Sequence, residues 1–189
     1  ARARKPTPFE SYEGQIDLIA DLVAEMEAAA GQTGLPVGIG HPGAISRATG
    51  RIQNANSLCL NGQPLKEDLQ ARLGREIRMA NDANCLAVSE ASDGAAAGHA
   101  VVFAVILGTG CGGGIAVNGL PWAGPNAIGG EWGHNPLPDA GGEPGAPRAC
   151  WCGRTDCIET YLSGPGLART HEALGGGVAK AEDLPARAA

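Results

Sequence analysis

Between Gly130 and Glu159 the sequence GEWGHNPLPDAGGEPGAPRACWCGRTDCIE gathers His134, Cys150, Cys152 and Cys157, a dense group of metal-binding side chains. A Cys-x-Cys pair, a third cysteine after four intervening residues and an upstream histidine supply one imidazole and three thiolates. That is the ligand set of a closed tetrahedral zinc site of the structural kind. Glu131 stands three residues before the histidine, and Glu159 two residues after the last cysteine. A rigid metal knot would set these two carboxylates side by side, where they could accept hydrogen bonds from the hydroxyls of a polyol.

The alternatives are a disulfide or free buried thiols. Three clustered cysteines leave one unpaired, and Cys-x-Cys places two sulfurs too close for an unstrained bridge. With an upstream histidine, zinc is the stronger reading. His134 could also be an ordinary loop histidine, but its GHNP context weighs against that.

Such residues need elements to position them. From Gln15, the residues Ile16, Ile19, Leu22, Val23 and Met26 recur at helical spacing, which predicts an amphipathic helix to about Ala30, ended by Gly31 and Gly34. LPVGIGHPG reads as a short buried strand that Pro42 and Gly43 turn. His41 in that turn is read as packing rather than as a ligand. The loop RIQNANSLCLNG carries Asn54, Asn56 and Asn61, residues that favour turns.

A helix over Leu65–Leu73 leads to a strand in REIRMANDAN, whose end delivers Asn81 and Asp82 to a helix beginning near Asn84. By residue type alone, Asp82 is most often an N-cap. AVVFAVIL reads as a fully buried strand, and GTGCGGGIAVNGLPWAG continues it through a glycine turn into a second strand, with Asn118-Gly119 as a hairpin signal. Glycines at 108, 110, 112, 113 and 114 would let backbone amides approach a phosphate, although a glycine hairpin alone is weak evidence. SDGAAAG is a natural lobe boundary, so the expected domains are residues 1–98 and 99–189. After Glu159 a helix is expected in TYLSGPGLARTHEAL, and the tail GGGVAKAEDLPARAA has little power to form a core.

Composition narrows the partners. A net charge of -6 argues against a nucleic-acid surface, which needs a basic patch. The longest apolar run, residues 100–107, is far below the ~20 residues of a membrane-spanning helix. Scattered single cysteines, Cys59, Cys85 and Cys111, fit a reducing cytoplasm, and nothing resembles a signal peptide.

EWGHNPLP, CWCGRTDCIE, NANS, ANDANCLAVSEA and LGTGCGGGIA, in that company, resemble the signatures of the ROK family of repressors and sugar kinases, in wording near its bacterial fructokinases and mannokinases. The resemblance runs from about residue 6 to 170. It implies an actin/hexokinase-like α/β fold of two ribonuclease-H-like lobes with the sugar between them, and ATP-dependent phosphorylation of a hexose, fructose first, at the 6-hydroxyl.

By the same resemblance Asp82 is the catalytic base, and Asn56, Asn81, Asp82, Glu131, His134 and Glu159 hold the sugar. Gly108, Thr109, Gly110, Gly112 and Gly113 form the phosphate-binding turn. His134, Cys150, Cys152 and Cys157 hold structural zinc, and magnesium accompanies ATP. A homodimer is compatible with the family.

The family's DxGGTK-like phosphate element and its carboxyl-terminal continuation are not in this sequence. The chain is therefore expected to be the central part of a longer enzyme, incomplete at both ends, with an exposed sheet edge that favours self-association. A sugar-responsive repressor of the same family and an inactive zinc-binding fragment are the competing readings.

Overall fold

Ser11 starts the first helix, its hydroxyl accepting from the Gly14 N–H at 3.0 Å. In the computed structural model, which describes residues 1–187, helix α1 runs over Tyr12–Ala30. It begins ahead of the apolar stripe because Ser11 caps it. It ends where Gly31 takes a left-handed conformation, φ 65°. Strands β1 (Val37–His41), β2 (Ala44–Ile45) and β3 (Ile52–Gln53) follow, then helix α2 (Leu65–Leu73), strand β4 (Ile77–Asn81) and helix α3 (Asp82–Ser92).

β1 and β4 are parallel, in a register that runs from Val37 opposite Ile77 to His41 opposite Asn81. β2 and β3 pair antiparallel. Ile16 of α1, Leu65 and Leu69 of α2, Ile52, Leu60 and Ile77 form one buried cluster. Leu69 is completely buried, a burial that contributes roughly 1.5–3 kcal/mol. β1 is only half-buried and alternates along its length, rather than being wholly buried as LPVGIGHPG predicted. Its two glycines, Gly38 and Gly40, offer no side chain to bury.

The remaining strands are β5 (Val101–Leu107), β6 (Cys111–Val117) and β7 (Leu120–Pro121), an antiparallel sheet in that order. The Asn118-Gly119 signal is a hairpin turn, with φ of 51° and 75° at the two residues. β5 is not fully buried. Val102 and Ala104 are 8% exposed and pack on Ala87 of α3 and Ala116 of β6, whereas Val101 and Phe103 on the opposite face are 66% and 51% exposed. A continuous apolar run cannot distinguish one-sided from two-sided burial, because both read as strand.

The helix expected after Glu159 is two helices, α4 (Glu159–Leu162) and α5 (Gly164–Ala173). Ser163 breaks them apart with an extended backbone and caps the second, its hydroxyl accepting from the Gly166 N–H at 3.1 Å. The tail adds a short helix, α6 (Leu184–Arg187), and the last two residues of that tail lie outside the described residues.

The chain divides into two units, one of Ala1–Cys85 with Gly124–Ile128 and one of Leu86–Ala123 with Gly129–Ala189. The division passes through α3, whose Ala87 belongs to the β5–β6 cluster. No helix among the described residues is long and apolar enough to cross a membrane.

Candidate active site and metal centre

In the first unit the site residues meet at the carboxyl end of β4. Asn81 is the N-cap of α3: its Oδ1 accepts from the Asn84 N–H at 3.1 Å. Its Nδ2 donates to the Gly43 carbonyl at 2.9 Å, which ties the strand end to the turn after β1. α3 therefore starts at Asp82, ahead of the Asn84 that the sequence pattern indicated, because Asn81 and not Asp82 caps it. Asp82 is the first helical residue and its side chain is exposed. Its Oδ1 accepts from the Ala83 N–H at 2.8 Å, which leaves the other oxygen for an incoming hydroxyl.

The asparagine loop is pulled to the same place. Gly43 has φ 71°, and a Cβ there would lie 2.7 Å from the Ala55 nitrogen, so only glycine lets the turn meet the loop. Asn61 clamps that loop by accepting from the Ala55 N–H at 2.8 Å and donating to the Ala55 carbonyl at 3.0 Å. Asn54 turns the chain at φ 58°. Asn56, next to Ala55, is exposed and presents its amide to solvent. His41 is buried at 4% exposure, with Nδ1 3.0 Å from the Pro42 carbonyl, a packing role.

In the second unit two backbone pairings build the cysteine-histidine group. The Glu159 and Ile158 N–H groups donate to the Gly133 and Asn135 carbonyls at 2.8 and 2.9 Å, and Pro136 bridges to Cys157. Ala149 bridges to Thr155, and the Cys150 N–H donates to the Arg154 carbonyl at 2.8 Å, closing a hairpin over the Cys-x-Cys pair. The result sets one ligand atom each from His134, Cys150, Cys152 and Cys157 within 4.8 Å of one another.

Cys150 Sγ is 3.5 Å from His134 Nδ1, and Cys152 Sγ is 3.6 Å from Cys157 Sγ. All six cysteines are free, so no disulfide competes for these sulfurs. A tetrahedral zinc ion with bonds of about 2.0–2.3 Å needs ligand atoms roughly 3.3–3.8 Å apart; the donor set fits zinc in type and these two pairs fit it in spacing, while the whole group spans up to 4.8 Å. Burial and the neighbouring thiols Cys152 and Cys150 push the Cys157 thiol up to about 12. The Arg154 N–H, and after it the neighbouring thiols, lower that of Cys152.

Glu159, the first residue of α4, is held at both oxygens. Oε2 accepts from the Cys111 N–H at 2.9 Å, and Oε1 accepts from the Trp151 indole N–H at 2.7 Å. Trp151 also packs edge-on to His134, with ring centroids 4.8 Å apart and planes at 83°. Glu131 is exposed, beside Trp132, whose indole N–H donates to the Gly112 carbonyl at 2.7 Å.

The glycine turn is Gly108–Gly110, between β5 and β6. The Gly108 N–H donates to the Gly110 carbonyl at 2.9 Å, while those of Thr109 and Gly110 at the tip have no partner among the described residues. Gly112 and Gly113 lie inside β6. A Cβ on Gly113 would come within 2.8 Å of the Gly130 carbonyl oxygen, which explains glycine there by close packing.

Two residues before Cys150, Arg148 has no exposed surface. Its guanidinium donates to the carbonyls of Thr160 at 2.8 Å and Gly166 at 3.1 Å, to that of Pro144, and to Thr170 Oγ1 at 2.9 Å. It lies 4.1 Å over the Tyr161 ring. Asp156 accepts both from the Arg148 N–H at 2.7 Å and from the Tyr161 hydroxyl, bonds that lower its carboxyl pKa. Burial and that same bond push the Tyr161 hydroxyl up to about 12.

The sequence pattern missed Trp151, Arg148 and the Asp156–Tyr161 pair. A tryptophan between two ligand cysteines was the available signal for the first. The others depend on contacts across the fold.

The model of the ROK family matches residues 1–188. The chain is 47% identical over 169 residues to the N-acetyl-D-glucosamine kinase of Escherichia coli O139:H28 (strain E24377A / ETEC), a match over 87% of this chain and 55% of that protein. It thus spans about half the length of the curated relatives it matches. The crystal structure of the ROK hexokinase from Thermus thermophilus is similar with TM-score 0.77 and 31% identity, over 95% of this chain and 58% of that one. A ROK family glucokinase from Streptomyces griseus, in complex with glucose and AMPPNP, is similar with TM-score 0.68 and 34% identity, over 85% and 49% of the two chains.

Proposed function

The chain belongs to the ROK family, with an actin/hexokinase-like α/β fold, and from that premise we propose that it serves in ATP-dependent phosphorylation of a hexose at its 6-hydroxyl. The observation that carries this reading is Asp82, exposed at the start of α3 and at the carboxyl end of a parallel strand, where open α/β sheets present groups to ligands. Glucose and AMPPNP in the Streptomyces griseus relative support a hexose and ATP as the substrates, with magnesium accompanying the nucleotide.

Phosphoryl transfer asks the protein mainly to align acceptor and donor and to offset charge. Asp82 orients the 6-hydroxyl and takes its proton. An aspartate is a weak base toward an alcohol, so the proton leaves late, once the oxygen has largely bonded to phosphorus. Each unit offers side chains to the other hydroxyls, Asn56 and Asn81 in the first and Glu131, His134 and Glu159 in the second. The Thr109 and Gly110 N–H groups receive phosphate oxygens at a turn with no side chain at its glycines.

His134, Cys150, Cys152 and Cys157 would hold zinc, which would serve structurally by fixing the loop that carries Glu159. His134 Nδ1, 3.5 Å from Cys150 Sγ, would face the metal, which would leave the other ring nitrogen to donate to the sugar.

N-acetyl-D-glucosamine stands first among acceptors, ahead of the fructose that the sequence resemblance put forward, because the relative at 47% identity is an N-acetyl-D-glucosamine kinase. An ADP-release assay with N-acetyl-D-glucosamine, glucose, mannose and fructose tests the proposal. Turnover should be highest with the acetamido sugar, and no phosphorylation of any of the four would sink the reading.

A further inference from the structure

The Cys-x-Cys hairpin sends its middle residue outward: Trp151 is 73% exposed, although an indole is costly to leave in water and no core is nearby to take it. Yet the side chain is held at two points. Its N–H donates to Glu159 Oε1 at 2.7 Å, and its ring meets His134 edge-on with centroids 4.8 Å apart. Behind it the backbone is fixed as well, by the Cys150 N–H on the Arg154 carbonyl at 2.8 Å and the Gly153 N–H on the Cys150 carbonyl at 3.0 Å.

We propose that Trp151 is a positioning residue for the sugar: its indole N–H sets the Glu159 carboxylate, and its ring braces the His134 imidazole, so that both meet the hexose in one orientation. This rests on the kinase reading above. Among the described residues Glu159 is otherwise anchored only at Oε2, by the Cys111 N–H at 2.9 Å. With one oxygen pinned, the carboxylate still swings about its last torsion; with both pinned, it presents a fixed plane. Each oxygen keeps acceptor capacity for a hydroxyl, and two adjacent hydroxyls match the spacing of one carboxylate. A charge-assisted bond from an indole to a carboxylate is among the stronger hydrogen bonds a side chain makes.

Phenylalanine separates the two roles, since it keeps a ring beside His134 and removes the donor. Trp151→Phe should bind N-acetyl-D-glucosamine and glucose about tenfold more weakly by calorimetry and raise the sugar KM by a similar factor, with kcat within about twofold. Metal analysis should still find zinc in the variant. Trp151→Ala, which also removes the brace on His134, should weaken sugar binding by about a hundredfold. A sugar-dependent change in intrinsic fluorescence should be present in the parent and smaller in Trp151→Phe, which keeps Trp122 and Trp132.

Unchanged sugar affinity in Trp151→Phe with zinc retained overturns the proposal. So does loss of zinc in that variant, which would make the indole a support of the metal loop. Absence of hexose binding by the unsubstituted protein is a different result: it removes the kinase reading itself, whatever the variants do.

Discussion

The Cys111 N–H donates to Glu159 Oε2 at 2.9 Å, so the first residue of β6, just after the glycine turn, and the first residue of α4, just after the cysteine-histidine loop, share one hydrogen bond. Burial and that carboxylate push the Cys111 thiol up. A Cβ added to Gly110 would lie 2.6 Å from the same Oε2. The atom it meets is the tip of a side chain held at both oxygens, so it gives way only by losing the bond from the Cys111 N–H or from the Trp151 indole. Gly110→Ala should therefore still fold, with a stability loss of about 1.5–3 kcal/mol, the range for one hydrogen bond to a charged group. It should nevertheless bind hexose roughly tenfold more weakly, because the carboxylate has left its place. Urea unfolding and calorimetry check the two parts separately.

Zinc content is the next test. The purified protein should carry close to one zinc per chain, and Cys157→Ser should lower that to a trace. The buried thiol of Cys157, held high without a cation, is expected to release its proton on binding, so affinity should fall as pH drops. Stripping the metal with a chelator should loosen residues 130–159, seen as faster amide exchange there than in α1.

Part of this was legible in the sequence because it depended on local spacing. The grouping of His134, Cys150, Cys152 and Cys157, the Asn118-Gly119 turn and the helix over Leu65–Leu73 are such features. Asn81 taking the cap from Asp82 was not legible, because either residue type can cap and the choice follows from the Gly43 carbonyl that holds Asn81. The one-sided burial of β5 depends on what packs against each face, and an apolar run carries no record of that. Asp156 escaped notice for a similar reason: its left-handed φ of 54° is sustained by bonds from Arg148 and Tyr161, residues eight and five positions away.

Arg148 offers a stability test. Its guanidinium satisfies three carbonyls and the Thr170 hydroxyl with no exposure to water. Leaving a buried acceptor unpaired costs about 1–3 kcal/mol. Arg148→Met, which keeps bulk and loses every donor, should therefore destabilise the second unit by at least about 3 kcal/mol. Burial lowers the pKa of this guanidinium, but it stays charged throughout the range in which the protein would be handled. The measured loss should be flat from pH 6 to 8 in denaturant titrations.

Glu27 gives a pH dependence with a definite sign. Its carboxylate accepts from Arg75 at 2.7 Å and from the Leu35 N–H at 2.8 Å, which together hold its pKa below the ordinary 4.5. A carboxyl with a lowered folded pKa adds stability that is fully present above its unfolded value and is lost as pH falls through the folded value. Stability should therefore decline below about pH 4.5 in the parent protein, and Glu27→Gln should remove part of that decline while being the less stable protein at pH 7. The same slopes in both would exclude Glu27 as a contributor.

Asp82 gives the direct test of the proposed chemistry. The side chain is exposed at the first turn of α3 and one of its oxygens is occupied by the Ala83 N–H at 2.8 Å. Asp82→Asn keeps that bond and the shape but cannot take a proton. Turnover should fall at least a hundredfold while the hexose affinity stays within a few-fold, the pattern of an interaction used in the transition state. Asp82→Ala should lose turnover as heavily. Its stability loss should stay small, because Asn81 remains as the cap of α3 through the Asn84 N–H. Near-normal turnover in Asp82→Asn would take the base away from this residue, and a large stability loss in Asp82→Ala would show that its carboxylate serves the helix rather than the hydroxyl.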